Sequence, residues 1–284
     1  MDLRRFEILV SRSENLPSMP NILTEIISQT FSEESSIGAL ESKISLDPAV
    51  SAKIMRVANS AFYGESSKCT TLTMAISILG FHEVRALVTS LAYHQMMRTK
   101  SLSKYLSKSE LWKHSVATAV CAKILAKKVL PNEMEELYLA GLMHDIGFLA
   151  LDVLMPNELD VVVRTALTEN SPLHEIEQNF YRWDHSDAGG ALASKWGLPP
   201  VLSDTIRYHH RPLEAEDHMQ HTCVIALAND IAHQCGFTNH ANTANYETAP
   251  MILGIIGLSE EEIDPLKEEM VGKVSAVQSA FGVD

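Results

Sequence analysis

His144 and Asp145 sit side by side in the stretch Ala140-Gly-Leu-Met-His-Asp-Ile-Gly147, and His114, His185, His209, His210 and Asp230 fall around them at positions that read as helical. Neutral imidazoles and carboxylates are the ligand types of nitrogen/oxygen metal sites, and residues spread over separate helices converge only in a folded core. One His-Asp pair alone says little, because a buried histidine beside an apolar stripe is more often a hydrogen-bonded core residue than a ligand. The ordered series says more. Asp230, flanked by Leu227 and Ile231, would cost several kcal/mol to bury ionised and unpaired, so it needs a cation, a histidine or solvent. The series therefore predicts a centre for one or two divalent cations held by His114, His144, Asp145, His185, His209, His210 and Asp230.

The elements that must position these residues are helices, since apolar periodicity is helical nearly throughout and alternation is almost absent; the fold class is all-α. Asp47-Pro48 is a cap followed by proline at the first helical position, with Val50, Ile54, Val57 and Ala58 on one face and an end near Asn59-Ser60. Asn132 with Glu135 resembles a capping box, and Leu137, Ala140, Leu142 and Met143 carry an apolar stripe into His144, which predicts that His144 is buried. Neighbours on a helix point about 100° apart, so His144 and Asp145 can meet cations only over a helix end, which Gly147 is expected to open. Asp184 with Asp187 starts a helix with His185 in its first turn; Ala188 to Ala193 permit close approach, and Trp196-Gly-Leu-Pro-Pro200 stops it. Pro200 to His210 is a further helix, ended by Pro212. Another runs from about Thr222 to Cys235, with Asp230 on the edge of its Val224, Leu227, Ala228, Ile231 stripe. Thr238 to Thr248 reads as a loop, Thr99 to Ser109 as a softer boundary, and Ser259-Glu-Glu-Glu-Ile263 as the start of a charged, solvated C-terminal helix. His82, His94, His174, His218, His221, His233 and His240 read as surface or packing residues.

The 284 residues are 46% apolar with a mean hydropathy of +0.00, as expected of one large or two small soluble domains. The best apolar run, Leu137 to Leu151, is cut by His144-Asp145 before it reaches the roughly 18 residues a membrane span needs. Met1-Asp-Leu-Arg-Arg-Phe-Glu lacks the apolar core of a signal peptide, so a cytoplasmic location and no membrane partner are expected. Cys69, Cys121, Cys223 and Cys235 have no C-x-x-C spacing and read as buried thiols. With 23 Lys+Arg against 36 Asp+Glu, the net charge of −13 repels phosphate backbones. Thr73 to Gly80 running into Phe81 to Leu91 resembles helix, glycine turn, helix, but its second helix offers only Arg85 as a basic residue, so packing is expected there and no nucleic-acid partner.

The order His114, His144-Asp145, His185, His209-His210, Asp230 resembles the ligand order of HD-superfamily metal-dependent phosphohydrolases, above all the HD-GYP branch that cleaves cyclic dinucleotides. Leu16-Pro-Ser-Met-Pro20, Ile44-Ser-Leu-Asp-Pro48, Val57-Ala-Asn-Ser-Ala-Phe-Tyr-Gly64 and Ala75-Ile-Ser-Ile-Leu-Gly80 are similar to the HDOD domain, a bacterial signalling relative of those hydrolases, and Trp112-Lys-His-Ser115 and Trp196-Gly-Leu-Pro199 continue the likeness. The resemblance covers about residues 10–235. It implies an N-terminal helical subdomain over 1–103, an HD-like subdomain over 104–235, and a loop and helical tail over 236–284. It implies a regulatory module acting through signalling partners, with iron or manganese ahead of zinc or nickel. The rival reading is a phosphohydrolase, with Asp145 handling protons and Arg211 or Lys195 meeting substrate phosphate. Catalytic HD-GYP sequences read His-Asp-Ile-Gly-Lys and carry Gly-Tyr-Pro; this chain has Phe148 at the lysine position and no Gly-Tyr-Pro, which argues against cyclic dinucleotide hydrolysis.

Overall fold

The computed structural model describes residues 1–31, 44, 47–63, 68–98, 100–239 and 249–281; the expected loop from residue 240 onward, and His240 with it, lies outside them. Among the described residues there is no strand. The first five helices are α1 (Leu3–Arg12), α2 (Asn21–Thr30), α3 (Pro48–Ala58), α4 (Leu72–Leu79) and α5 (Phe81–Met97). The centre is built from α6 (Lys108–Val129), α7 (Met134–Met143), α8 (Gly147–Leu154), α9 (Pro156–Glu169), α10 (Leu173–Tyr181), α11 (His185–Trp196), α12 (Pro200–Tyr208) and α13 (Met219–Gln234). Two more, α14 (Pro250–Ile256) and α15 (Ile263–Phe281), close the chain.

α6 is the axis of the fold. Leu111, Trp112, Val116, Ala119, Cys121 and Leu125 are buried on all its sides, because α7, α13, α15 and α5 pack around it; a helix apolar all round belongs in a core. α15 presents Leu266, Met270, Val274 and Val277 to that core, so the tail expected to be solvated supplies one wall of it. α1 crosses to α11, where Phe6 packs on Trp183 with ring centroids 4.8 Å apart and Trp183 Nε1–H donates to the Met1 carbonyl at 2.9 Å.

Several local signals act as expected. Asp47 accepts from the Ala49 and Val50 amides, and Asp184 and Asp187 form a reciprocal capping box on α11. Gly80, at φ +80°, turns α4 into α5 through 111°, a backbone region that favours glycine. Residues 84–93 of α5 are buried, and Arg85 donates to the Ile26 carbonyl at 2.9 Å and to Thr30, so its guanidinium is spent on α2. The Asn132–Glu135 box does not form. Glu133 is the cap residue without a side-chain bond; its carboxylate meets His221 instead, and Glu135 turns to Lys123 at 3.1 Å. In the apolar stretch Met134–Leu154, 89% of the residues of an 18-residue apolar window are buried inside the fold.

The segment from Ser101 to Tyr105 is fastened by two aspartates. Asp152 Oδ1 accepts from Ser101 Oγ (2.6 Å) and from the Leu102 and Ser103 amides (2.9 and 2.8 Å), while Oδ2 lies 3.0 Å from buried Lys108 Nζ. Asp160 takes Ser103 Oγ at 2.6 Å and the Lys104 amide at 2.8 Å. Removing one partner of a buried ion pair leaves the other desolvated, so Asp152→Ala is expected to cost about 3 kcal/mol in urea unfolding, and Asp160→Ala clearly less.

Candidate metal centre

Each donor reaches the centre from a different element. His114 points in from α6, His144 and Asp145 occupy the break between α7 and α8, His185 opens α11, and His209 and His210 follow the last turn of α12. The break lets consecutive residues face one place, as the helix-end argument required. All but His210 are buried; His210 is partly exposed. Gly147 acts by close approach and not by opening the helix end: its φ is not positive, and a Cβ there would lie 1.9 Å from the His185 carbonyl oxygen.

Asp145 is the hub. Its Oδ2 lies 3.5 Å from His114 Nε2 and 3.4 Å from His144 Nε2, and its Oδ1 lies 3.1 Å from His185 Nε2 and 3.7 Å from His209 Nε2. Two sets could each hold an ion, with ligand atoms mutually within 4.8 Å: His114 with His144 and Asp145, and His185 with His209 and His210. Between rings, His114 Nε2 and His144 Nε2 are 3.2 Å apart and His185 Nε2 and His210 Nε2 3.0 Å apart. Neighbouring ligands around one ion at about 2.1 Å are separated by roughly 3.0–3.4 Å, so these spacings suit shared coordination.

The far sides of the rings fix the tautomers. His114 Nδ1–H donates to the Phe237 carbonyl, His144 Nδ1–H to Gly141 and His209 Nδ1–H to Ile206, each at 2.8 Å. A carbonyl can only accept, so the proton sits on Nδ1 and Nε2 is left as a donor atom for a cation. His185 Nδ1 meets Glu177 Oε2 at 2.5 Å, and the same oxygen takes the His185 amide at 2.9 Å. Outer partners of this kind orient metal-ligating imidazoles. His209 Nε2 and Asn229 Oδ1 are buried with no hydrogen-bond partner among the described residues. The donor set, its spacing and these orphaned atoms fit a divalent metal.

Electrostatics agree. Burial pushes His114 down to about 4 and lowers His144, His209 and His210 as well, which keeps them neutral and able to ligate. Burial also opposes the charge on Asp145, yet His144, His185 and His114 together hold its carboxyl well below the usual range. His185 moves the other way: burial lowers it, but Glu177 and Asp145 outweigh that and raise it well above its ordinary value. It is the ring on which a proton would stand in for a cation.

Not every expected residue joins. Asp230 is in neither donor set. Its neighbour Asn229 acts on His114 and His144 instead, because one residue along a helix turns the side chain by about 100°. Burial alone acts on Asp230, raising it to about 7. Since that lies above the unfolded value, ionising the group costs stability progressively as pH rises from the unfolded towards the folded pKa. Asp230→Asn is thus expected to leave thermal stability unchanged near pH 4 and raise it at pH 8, with metal content intact; loss of metal would make Asp230 a ligand after all.

Arg211 and Lys195, the expected substrate contacts, are engaged elsewhere. Arg211 pairs with Asp184 at 2.6 Å and Asp187 at 2.8 Å, and Lys195 Nζ donates to the Ser11 and Ser13 carbonyls at 3.0 and 2.9 Å around the C-terminal end of α1. Phe148 stacks on His185 with centroids 4.2 Å apart. Glu177, Asn229 and Asn239, whose Nδ2 donates to Asp145 Oδ2 at 2.9 Å, complete the surroundings unforeseen. Glu177 had a signal, falling on the buried Leu173, Ile176 stripe of α10. So did Asn229, on the Thr222, Ala226, Asn229, His233 face of α13, where His233 lies 4.5 Å from the His114 ring. His174, expected as surface or packing, stacks on His210 at 4.0 Å.

A family model for the HDOD domain matches residues 16–212. The chain belongs to the HDOD family. Among solved structures, this HDOD protein resembles one of unknown function from Geobacter sulfurreducens, with a TM-score of 0.82, 23% identity, and coverage of 98% of this chain and 97% of that one. A Marinobacter aquaeolei protein whose description proposes signal transduction gives 0.76 at 22% identity, covering 99% of this chain and 65% of that one. A Shewanella amazonensis protein whose description proposes a phosphohydrolase gives 0.70 at 23%, covering 97% of each. At such identities the likeness carries the fold alone. A Treponema pallidum protein is 24% identical over 223 residues, 78% of this chain and 43% of its own length; YuxH of Bacillus subtilis is 25% identical over 140 residues, 49% and 32%. The chain therefore spans less than half the length of these two curated relatives, both uncharacterised.

Proposed function

We propose that this HDOD protein is a bacterial, cytoplasmic signal-transduction module that works through protein partners and holds one or two divalent cations as a structural or sensory centre. The observation that carries the reading is the tautomer pattern. His114, His144, His185 and His209 each tie Nδ1 outward, so four Nε2 atoms face Asp145, an arrangement that a shared divalent cation would satisfy. Asp145 is placed to join both sets, one oxygen toward each. A bound divalent cation would supply Lewis acidity there. Five imidazoles with one carboxylate suit iron, zinc or nickel better than manganese, which prefers oxygen.

The phosphohydrolase reading needs groups that receive phosphate. Arg211 is neutralised by Asp184 and Asp187, Lys195 lies ten residues along α11 from His185, about 15 Å at the helical rise, and Phe148 covers one face of His185. These observations favour the regulatory reading. Metal content of untagged protein, beside a His144→Ala, Asp145→Ala double variant, tests it: one or two equivalents that vanish in the variant support the centre, and a metal-free native chain with unchanged stability under chelation rejects it. Turnover of phosphomonoesters, diesters or nucleotides above the double variant, with iron or manganese supplied, would favour the enzyme instead.

A further inference from the structure

We propose that the cavity of about 360 Å³ between the His209-His210 turn and α14 is a binding site for a neutral small molecule with an apolar body. Its walls are Pro212 and Leu213 on one side and Ala249, Met251 and Ile252 on the other, with His210 also in the lining. Small-molecule sites have this size and make-up, mostly apolar with one or two polar groups that fix orientation.

Charge selects among occupants. The remaining polar residues on the wall are Arg211 and Glu214. The Arg211 guanidinium lies 2.6 Å from Asp184, 2.8 Å from Asp187 and 3.4 Å from Glu214. Its charge is thus spent on carboxylates, and the wall offers no free cation to a phosphate, nucleotide or carboxylate. A cation would have to shed its water against apolar walls. A neutral molecule meets neither obstacle, and it would cover Met251 and Leu213, which stand 62% and 46% exposed at the cavity. Solitary apolar residues on a surface are ordinary, but two flanking a concave apolar void mark a place to be covered.

The site also has a route inward. His210 Nε2 lies 3.0 Å from His185 Nε2, and His185 Nε2 lies 3.1 Å from Asp145. An occupant pressed against His210 therefore acts on the histidine cluster through two contacts. One wall comes from residues 249–252, outside the span of 16–212 matched by the family model, so part of the cavity is built by a segment beyond that span. Binding does not depend on the metal reading.

Calorimetric titration of the full chain with 2-naphthol and with 2-naphthyl phosphate, two probes sharing one apolar body, tests the proposal. Saturable binding of 2-naphthol is expected, at least tenfold tighter than its phosphate. Met251→Trp, which fills the cavity from an exposed position, and Leu213→Glu, which adds charge, should each weaken 2-naphthol at least tenfold while leaving the melting temperature unchanged. The His144→Ala, Asp145→Ala variant should still bind it, so a failed metal assay with intact naphthol binding would reject only the metal centre. Absence of saturable binding, equal affinity for the phosphate, or wild-type affinity in both folded cavity variants would overturn the proposal.

Discussion

Asp145→Ala is expected to remove all bound metal, whereas His114→Ala and His210→Ala each leave part of it. The reason is position: Asp145 offers Oδ2 to His114 and His144 and Oδ1 to His185 and His209, while His114 and His210 belong to different donor sets. Losing the shared carboxylate also strips the two donor sets of their one carboxylate among the described residues, leaving neutral nitrogens around divalent charge. Metal analysis after gel filtration should fall from one or two equivalents to below about a tenth, a loss of more than a hundredfold in affinity, larger than the 10–100-fold typical of outer-shell changes. Glu177→Gln, which keeps its shape beside His185, should fall within that smaller range. Because a ligand held at 1,000 times its dissociation constant stabilises by about 4 kcal/mol, chelation should lower the melting temperature of the native protein and leave Asp145→Ala unmoved. Wild-type metal content in Asp145→Ala would mean that the two donor sets do not share it.

What the sequence disclosed and what it withheld divide along chain distance. Asp184 and Asp187 cap α11, and Asp47 caps α3, as read, because the partners lie within three residues. His144 arrives buried because the stripe leading to it is continuous. The Asn132–Glu135 box failed for a tertiary reason: Lys123 and His221 lie on other helices and take Glu135 and Glu133 away from the helix start. Arg211 and Lys195 looked available for phosphate only while Asp184 and the Ser11 and Ser13 carbonyls, 27, 184 and 182 residues away, were unplaced. Asp230 lies outside both donor sets by one residue of helical phase. A stripe read to within one residue cannot tell Asn229 from Asp230, yet the two side chains point about 100° apart, and only the first acts on the imidazoles. Glu177 and Asn239 reach the cluster over 8 and 94 residues of chain, and only Glu177, a charge set in an apolar stripe, announced itself.

Gly147→Ala is expected to be the most damaging single methyl in the protein. The added Cβ would lie 1.9 Å from the His185 carbonyl oxygen, 2.7 Å from the Gly189 nitrogen and 2.9 Å from the His185 carbonyl carbon. All three are backbone atoms, so no side chain can turn aside; α8 and α11 must separate by more than 1 Å to reach ordinary contact. That movement draws His185 away from Asp145, now 3.1 Å distant, and couples folding to the site. A loss of at least about 4 kcal/mol, at the upper end for point changes, should appear in urea unfolding, with metal content reduced in whatever folds. Gly189→Ala should cost less, because its nearest obstacle is the Ile206 side chain at 2.7 Å and Gly147 nitrogen stands at 3.3 Å. Gly254, in α14 with nothing within 4 Å of an added Cβ, is the control: alanine there should stabilise by about 0.5–1 kcal/mol. If Gly147→Ala melts and loads metal like the native chain, the close seam between α8 and α11 is not what presents His185 to Asp145, and another contact must set that distance.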